Sequence, residues 1–283
     1  MNIQQKISKL FSQEPGWPPD QLSELQARKY FTRLGLKAGK ALALHEAAGL
    51  WERKDGERDW SNVSRHCLIE AARVEVFAEW LGLLGHVKNE LILTAVLHDF
   101  NKKQEVFSMK EAASRGAPFV VYALYKMEGE KTTKLRESGF GEFAVRLACA
   151  SGGSPETSLE VRRILSASSI PVEDLAFLVM YYTDAYTRDA NWVEPARGEA
   201  NDLDRRVQGN KKYGALDTAI IAERVPNEPL FKGKTASEVM GELGHEIERL
   251  LVKIIFETTG RCVEPLLLPE VIDEEIKKRI EAP

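Results

Sequence analysis

The sequence predicts an all-α protein, and three observations support that class. Apolar residues recur mostly three and four positions apart, which is the spacing of one face of an α-helix. The composition favours Ala, Leu, Glu, Lys and Arg, which have high helix propensities. Strand signals are poor, since only residues 119–125 have a β-like composition, and that segment is too short and unpaired to predict a sheet.

The helical pattern covers most of the chain. The predicted helices span about residues 3–12, 20–52, 59–84, 87–107, 117–128, 140–150, 157–168, 171–190, 199–223, 235–259 and 269–281, with ends defined to about two to four residues. Thr235 and Glu238 form a capping-box pattern at the start of the tenth helix, and Gly260 suits the position after its last turn. Pro171 predicts another helix start, because acidic residues follow in the first turn, where the helix dipole favours negative charge.

Three polar or Pro/Gly-containing segments, 52–57, 151–155 and 225–234, predict loops. They suggest an N-terminal helical extension (1–57), a central helical core (58–224) and C-terminal helices packed on that core (225–283). We expect these parts to form one compact body rather than separate domains.

Composition and charge exclude several functional classes. The 283 residues include 39 Lys and Arg and 43 Asp and Glu, a net charge of −4, so no global positive field predicts binding to nucleic acid. The three cysteines are widely spaced and contain no CxxC pattern, which argues against a disulfide framework or a thiolate zinc site. No signal-peptide pattern and no apolar run of about 20 residues occurs, so we expect a cytoplasmic protein without a membrane segment.

Five histidines occur, and one of them stands beside an aspartate. His98 and Asp99 follow the apolar run 91–97 and precede polar residues, so a buried helix would deliver two metal-capable side chains to the rim of a cavity. His45 and His245 lie on helical stretches without a second ligand type at metal spacing, and His86 suits a turn or cap. A His-Asp pair alone is a weak signal.

Two further residues could complete a metal site. His66 lies early in a long amphipathic helix, and Asp184 lies in the apolar middle of another. A buried carboxylate is costly unless it is paired or bound to metal. The alternative is a surface Asp184 with tyrosine neighbours.

Three ordered segments, 63–66, 95–102 and 182–185, resemble the motifs of the HD-domain metal-dependent phosphohydrolases. That family carries His, then His-Asp, then Asp on separate helices of an all-α core. The resemblance covers about residues 58–215, and the ends of the chain match nothing in it. It implies an HD-domain-like helical core with additional N- and C-terminal helices.

The same resemblance implies the site. It makes His66, His98, Asp99 and Asp184 the ligands of one divalent metal ion, with Mn, Fe, Co, Ni, Zn and Mg all left open. The ion would acidify a bound water, and Asp99 could hold that water or accept its proton.

Cationic and acidic neighbours extend the predicted site. Lys102 follows His98 by four positions and occupies a lysine place of one family variant, where it could contact a phosphate or leaving group. Arg188 has the same spacing from Asp184 and is a second candidate for binding substrate. Solvated helix ends are the alternative for both. Glu70, four positions after His66, could orient that imidazole or could be an exposed helix residue.

Two departures from the family pattern bear on the mechanism. No His occurs between positions 98 and 184, which favours one metal ion and disfavours oxygen chemistry on a diiron centre. Mononuclear nucleotidases of the family often carry Glu where Lys102 stands, so their acid–base mechanism does not transfer directly. The charged segments 201–206 and 211–213 could line a pocket, although a solvated helix face explains them more simply.

The predicted function is metal-dependent hydrolysis of a phosphate ester, with a nucleotide or another small phosphorylated metabolite as substrate. Two alternatives stay open at this point: a non-catalytic sensor that binds metal and nucleotide, and a phosphodiesterase acting on nucleic acid. The sequence leaves the oligomeric state open, including a homo-oligomer.

Overall fold

The computed structural model of this chain describes residues 4, 5, 7, 10, 24–51, 58–151, 154–198 and 200–282. The predicted helix 3–12 and the loop 52–57 lie wholly or partly outside these residues. The α-helices, in chain order, are α1 (Glu24–Lys37), α2 (Gly39–Ala47), α3 (Ser61–Trp80), α4 (His86–Leu97), α5 (Lys102–Ala113), α6 (Ala117–Glu137), α7 (Glu142–Ala150), α8 (Pro155–Leu165), α9 (Val172–Tyr186), α10 (Asp202–Asn210), α11 (Gly214–Arg224), α12 (Ala236–Thr259) and α13 (Leu268–Glu281). The described part contains no β-strand, and the only pairing of strand type is an isolated bridge between Arg197 and Ala200. The all-α prediction is confirmed.

Several helix ends form at the predicted residues. Thr235 and Glu238 make a reciprocal capping box at the start of α12, and Gly260 ends that helix in the left-handed region with φ of 72°. Pro171 directly precedes α9, whose first turn is acidic. At the start of α8, the Ser154 hydroxyl accepts a hydrogen bond from the Thr157 N–H.

Three predicted helices are divided in the structure. The predicted helix 20–52 is divided at Ala38 into α1 and α2, and the predicted helix 199–223 is interrupted by a 3₁₀ turn at Lys211–Tyr213. The predicted helix 87–107 ends at Leu97, and α5 begins at Lys102 with Asn101 as its N-cap. Helical periodicity continues across each break, because a short turn can preserve the apolar face on both sides. The residues of the last break include the His-Asp pair.

Helix α3 occupies the centre of the fold and positions the candidate site. Almost all of its residues are buried, and it packs against α1, α4, α9 and α13. A helix surrounded in this way is expected to be apolar on all sides. The charged side chains inside α3 are therefore the features that need an explanation.

Two of those charged side chains are paired with residues of α1 and α13. Arg73 donates to both carboxylate oxygens of Asp273 at 2.8 and 2.7 Å, and Glu75 accepts hydrogen bonds from Arg33 and Lys37. These pairs tie both ends of the described chain to the central helix. Glu70, in the middle of α3, has no Lys or Arg side chain within hydrogen-bonding distance among the described residues.

One buried apolar cluster extends from Ile7 to Ile280 and includes residues of both α1 and α13. Across the described ranges, no helix combines the length and the apolar character that crossing a bilayer requires.

Candidate metal centre

Three helices bring four potential ligands together. His66 and Glu70 lie one turn apart on α3, His98 caps the C-terminus of α4, and Asp184 lies in the last turn of α9. One ligand atom from each residue can be chosen so that all four lie within 4.8 Å of one another. Two imidazoles and two carboxylates form a donor set that suits a divalent metal ion.

The separate contacts define how these side chains meet. His98 Nε2 lies 3.3 Å from Glu70 Oε2 and 3.9 Å from Asp184 Oδ1, and His66 Nε2 lies 3.7 Å from the same Glu70 oxygen. The two imidazole ring centres are 5.5 Å apart. The predicted convergence of His66, His98 and Asp184 is therefore present in the fold.

Backbone carbonyl groups fix the orientation of both imidazoles. His66 Nδ1 lies 2.7 Å from the Asp189 carbonyl oxygen, and His98 Nδ1 lies 2.8 Å from the Ala95 carbonyl oxygen. A carbonyl only accepts hydrogen bonds, so each Nδ1 carries the proton. In the neutral rings each Nε2 then presents its lone pair to the cluster, as metal-binding histidines do.

Unsatisfied buried atoms show that the cluster fits a cation. Both Glu70 carboxylate oxygens and His98 Nε2 are buried and lack a hydrogen-bond partner among the described residues. Buried polar atoms without partners are rare in folded proteins and call for a bound ion, a water or a functional role. A cation at this position would satisfy all three atoms, so these residues could hold a metal ion.

The pKa values in the cluster follow from burial and charge. Burial, together with Asp184 and Asp99, raises the pKa of Glu70 well above its usual value. Burial raises the pKa of Asp184, but Arg206 and then His98 outweigh it, so that the net shift is downward. Burial and the neighbouring His98 lower the pKa of His66 to about 4, which keeps this ring neutral and able to bind a metal at neutral pH.

Asp99 lies beside the four-residue group rather than within it. Its Oδ2 is 3.7 Å from His98 Nε2, and its Oδ1 is 3.7 Å from Lys102 Nζ. Burial raises the pKa of Asp99, but Lys102 and then His98 and His66 hold it well below the usual range. The structure thus places a charged carboxylate at the rim. The role of Asp99 as a metal ligand stays a prediction.

Glu70 was not among the predicted metal ligands. The spacing from His66 indicated a shared helix face, which the structure confirms. We predicted that Glu70 either orients His66 or is an exposed helix residue. The side chain is buried, and its carboxylate lies among the potential ligand atoms. Complete burial of a glutamate without a cation partner could not be deduced from an i, i+4 spacing.

A cavity of about 440 Å³ opens above the cluster, and we call it the cationic cavity. Its lining contains six Lys or Arg and three Asp side chains. The nine charged residues are Arg58, Asp99, Lys102, Asp184, Arg188, Asp189, Arg205, Arg206 and Lys212.

Lys102 and Arg188 both line this cavity, as predicted. The prediction assumed that each residue lies on the same helix as the ligand four positions before it, but α4 ends at Leu97 and α9 ends at Tyr186. Lys102 begins α5 after the break at 98–101, and it contacts Asp99 and Glu105. Arg188 follows the end of α9, where Nη1 lies 3.5 Å from Asp202 Oδ1. Their roles in binding substrate stay predictions.

Arg206 lines the cationic cavity, although we predicted a solvated helix face for segment 201–206. Its Nη1 donates to the backbone carbonyls of Asp184 and Thr187 and lies 3.7 Å from Asp184 Oδ1. Arg206 therefore holds the C-terminal end of α9, which carries Asp184. The simpler interpretation of segment 201–206 is wrong at this position, because packing turns this side of α10 towards α9.

A second cavity of about 550 Å³, the adjoining cavity, meets the cationic cavity at Asp99, Lys102 and Arg206. Its other walls come from α6, from the end of α7 and from the start of α8. The candidate metal centre thus lies near the junction of two spaces with different walls.

The other described histidines lie outside this cluster. The His45 ring nitrogens contact Ser64 Oγ at 2.9 Å and the Val96 carbonyl oxygen at 2.6 Å, so His45 ties α2 to α3 and α4. His86 begins α4 with its side chain 74% exposed. His245 lies on α12 and is bound to two carboxylates.

Comparison with protein-family models, with curated proteins and with solved structures found no match for this chain. The likeness to HD-type sites therefore rests on the residues themselves. The chain has an all-helical fold with a His66, Glu70, His98 and Asp184 cluster that could hold a metal ion, and this arrangement is compatible with an HD-type site.

Proposed function

We propose that this chain is a metal-dependent phosphohydrolase that acts on a small phosphorylated molecule, with a nucleotide as the expected substrate type. The observation that carries this proposal is the group of unsatisfied ligand atoms on Glu70 and His98 beneath a cavity rich in cations. Metal-ligating groups suit activation of water, and cations suit binding of phosphate. The nucleotide preference follows the resemblance to the HD-domain family.

The residues of the cluster would hold one divalent metal ion. Such an ion would lower the pKa of a bound water and polarise a phosphoryl oxygen. His66 and His98 contribute nitrogen donors whose orientation is fixed by backbone carbonyls. Glu70 and Asp184 contribute negative charge that compensates the ion.

Asp99 and Lys102 have separate roles in this proposal. Asp99 stays ionised at neutral pH because of its lowered pKa, so its carboxylate can accept a hydrogen bond from the attacking water and orient it. Asp99 raises the pKa of Lys102 more than burial lowers it, which keeps the ammonium group charged. Lys102 can therefore neutralise charge that develops on the phosphate or on its leaving oxygen.

The test is release of phosphate from a panel of nucleotides and simple phosphate esters with added Mn²⁺ or Co²⁺. Asp99→Ala should abolish the release. A matched control is Glu257→Gln, which removes a charge from the exposed surface of α12, where Glu257 is 59% exposed. This control should leave turnover unchanged.

Two outcomes would contradict the proposal. Nucleotide binding without turnover by the metal-loaded wild type would indicate a sensor. Turnover that Asp99→Ala leaves intact would mean that the activity belongs to another site or to a contaminant. Metal content measured on the same samples shows whether each protein was loaded.

A further inference from the structure

We infer that a third cavity, which we call the α6 cavity, is a second ligand site that takes an amphipathic organic anion, and that a ligand bound there strengthens metal binding. Its volume is about 770 Å³, larger than that of the cationic cavity or the adjoining cavity. Its lining includes none of the four cluster residues, and neither Asp99 nor Lys102. The α6 cavity is therefore separate from the candidate metal centre, and its ligand site does not depend on the proposed hydrolysis.

The walls of the α6 cavity come from the end of α2, from the turn between α4 and α5, and from the second half of α6. The apolar and aromatic residues of the lining are Leu44, Ala47, Ala48, Phe100, Tyr125 and Met127. Small-molecule sites have volumes of about 300–1,000 Å³ and combine apolar surface with a few polar groups. At about 30 Å³ for each water-sized group, the α6 cavity would hold roughly twenty-five such groups. This space suits an organic molecule with several rings or a long hydrocarbon chain.

A glycine inside α6 keeps this space open. Gly129 lies near the middle of α6 and borders both the α6 cavity and the adjoining cavity. Glycine weakens a helix interior relative to alanine. Apart from its own helix and chain neighbours, no described atom lies within 4 Å of the position that a Cβ atom at residue 129 would occupy. Packing against another element therefore does not require glycine here, and the residue leaves room for a bound molecule.

Asn101 offers a polar group to a ligand of the α6 cavity. It is the N-cap of α5, and an asparagine at that position usually accepts a hydrogen bond from the backbone of the first turn. The Asn101 side chain forms no such capping hydrogen bond, and the residue lines the cavity. Its carboxamide is therefore available to donate a hydrogen bond to an anion.

The charged residues of the lining favour an anion over a cation. They are Lys126, Glu130, Lys131, Lys134 and Glu137. Lys126 lies 3.7 Å from Glu130, so these two charges compensate each other. Lys131 donates to the neutral Ala148 carbonyl oxygen at 2.8 Å, and Lys134 forms no ion pair within the described ranges. Two lysines then stand against one glutamate, and this excess of positive charge attracts a carboxylate or a sulfonate.

A ligand of this cavity would contact the turn that carries His98. Phe100 and Asn101 line the α6 cavity, and they directly follow His98 and Asp99 in the chain. In this conformation of the turn, His98 Nε2 lies 3.3 Å from Glu70 Oε2. Because the metal ion and a ligand in the α6 cavity both bind this conformation, each stabilises the state that the other requires. We therefore expect positive cooperativity between them.

The first experiment compares two dyes that share one ring system. 1-Anilinonaphthalene-8-sulfonate is an amphipathic anion, and N-phenyl-1-naphthylamine is its uncharged analogue. Fluorescence titration of the full-length protein should show saturable binding of one sulfonate dye molecule for each chain, and weaker binding of the uncharged dye. Absence of saturable binding by either dye would overturn the inference. Tighter binding of the uncharged dye would contradict the preference for an anion.

Two substitutions of the same glycine locate the dye. Gly129→Leu fills the open space and raises the helix propensity of α6, so it blocks the site without weakening the fold. Affinity for both dyes should fall at least about tenfold in this variant. Gly129→Ala is the matched control, since it favours the helix in the same way and adds one methyl group, and it should bind like the wild type. Unchanged dye binding in Gly129→Leu would place the dye elsewhere and overturn the site.

A charge variant tests the anion preference. Lys134→Gln should lower the affinity for the sulfonate dye about three- to fivefold and leave the affinity for the uncharged dye unchanged. Lys253→Gln, at a side chain 73% exposed on α12, is the matched control and should bind both dyes like the wild type. An equal effect of Lys134→Gln on the two dyes would show that Lys134 does not bind the anionic group.

The last experiment measures the coupling between the two sites. Electron paramagnetic resonance of free Mn²⁺ gives the metal affinity with and without saturating sulfonate dye. Mn²⁺ affinity should rise about fivefold with the dye in the wild type and in Gly129→Ala, and should not change with the dye in Gly129→Leu. A wild-type Mn²⁺ affinity that the dye leaves unchanged would overturn the coupling. None of these measurements uses turnover, so absence of phosphate release would contradict the proposed function alone.

Discussion

Two clusters of histidine and carboxylate side chains lie in the described part of this protein, and they differ in whether their polar atoms have hydrogen-bond partners. In the candidate metal centre, the Glu70 oxygens and His98 Nε2 have no hydrogen-bond partner among the described residues. In the second cluster, which we call the α12 network, His245 is held between Glu248 at 2.6 Å and Asp204 at 3.0 Å.

The rest of the α12 network completes its hydrogen bonding. Glu248 Oε1 accepts hydrogen bonds from Tyr182 at 2.9 Å and from Asn201 at 2.7 Å. The network joins α12 to α9 and α10. A fully satisfied polar network stabilises a packed structure, whereas an unsatisfied one is costly unless a ligand completes it. The two clusters contain similar residue types. They differ in whether their buried polar atoms have hydrogen-bond partners.

The largest expected difference between the clusters is in activity. His98→Ala should lower phosphate release at least about a thousandfold, because a metal ion contributes several kcal/mol to stabilisation of the transition state. His86→Ala, at the exposed start of the same helix, should have no effect. His245→Gln should retain metal-dependent turnover when measured below the melting temperature. A loss as large as that of His98→Ala would mean that the α12 network takes part in the chemistry.

Metal binding should stabilise the wild-type protein by about 4 kcal/mol at a metal concentration about a thousand times Kd. For a chain of this size we expect a melting temperature higher by roughly 8 °C, reversed by a chelator. Differential scanning calorimetry with and without Mn²⁺ measures this shift. The shift in melting temperature should persist in His245→Gln and vanish in His98→Ala. The reverse pattern would mean that the metal ion binds at the α12 network and not at the candidate metal centre.

Glu70→Gln should have opposite effects on stability and on metal affinity. The raised pKa of Glu70 means that its carboxylate destabilises the metal-free fold as the pH rises above about 4.5, and glutamine removes this charge. We expect the metal-free variant to gain about 1–3 kcal/mol in free energy of unfolding at pH 8.

Metal affinity of the same variant should fall by at least about ten- to a hundredfold, since replacing a residue that merely orients a ligand already has an effect of that size. Urea unfolding and metal titration of Glu70→Gln, beside Glu257→Gln as the surface control, measure both effects. A variant that loses stability without metal and keeps its metal affinity would show that Glu70 has a structural role.

The smallest expected effect concerns the pH dependence of the α12 network. Glu248 raises the pKa of His245 to about 9, against the lowering by burial and with a further contribution from Asp204. Because the folded pKa exceeds the usual value of about 6.5, the stabilisation is complete below that pH and is lost as the pH rises through about 9.

After allowance for solvent screening, we expect His245 to contribute on the order of 1–2 kcal/mol. The difference in free energy of unfolding between wild type and His245→Gln, measured from pH 6 to pH 10, should shrink by that amount. A difference independent of pH would show that His245 is neutral throughout.

The candidate site was predictable in part because two of its features are local. The apolar run before His98 indicated a buried helical segment that leads into the ligand, and the spacing of Glu70 from His66 indicated a common face. The break after Leu97 was not predicted, because helical periodicity continues through residues 98–107. The place of Arg206 was also missed, since its partners on α9 are about twenty residues away in the chain.

The sequence by itself determined the all-α class, several helix ends and three of the four residues that could hold a metal ion, His66, His98 and Asp184. These features follow from periodicity, from capping patterns and from the chemistry of single side chains, all of which act over a few residues. Only the tertiary structure decided that Glu70 joins the cluster, that Asp99 lies at its rim and that the α12 network is satisfied. Those outcomes depend on the packing of α3 against α4 and α9, because partners for buried polar atoms come from segments distant in the chain.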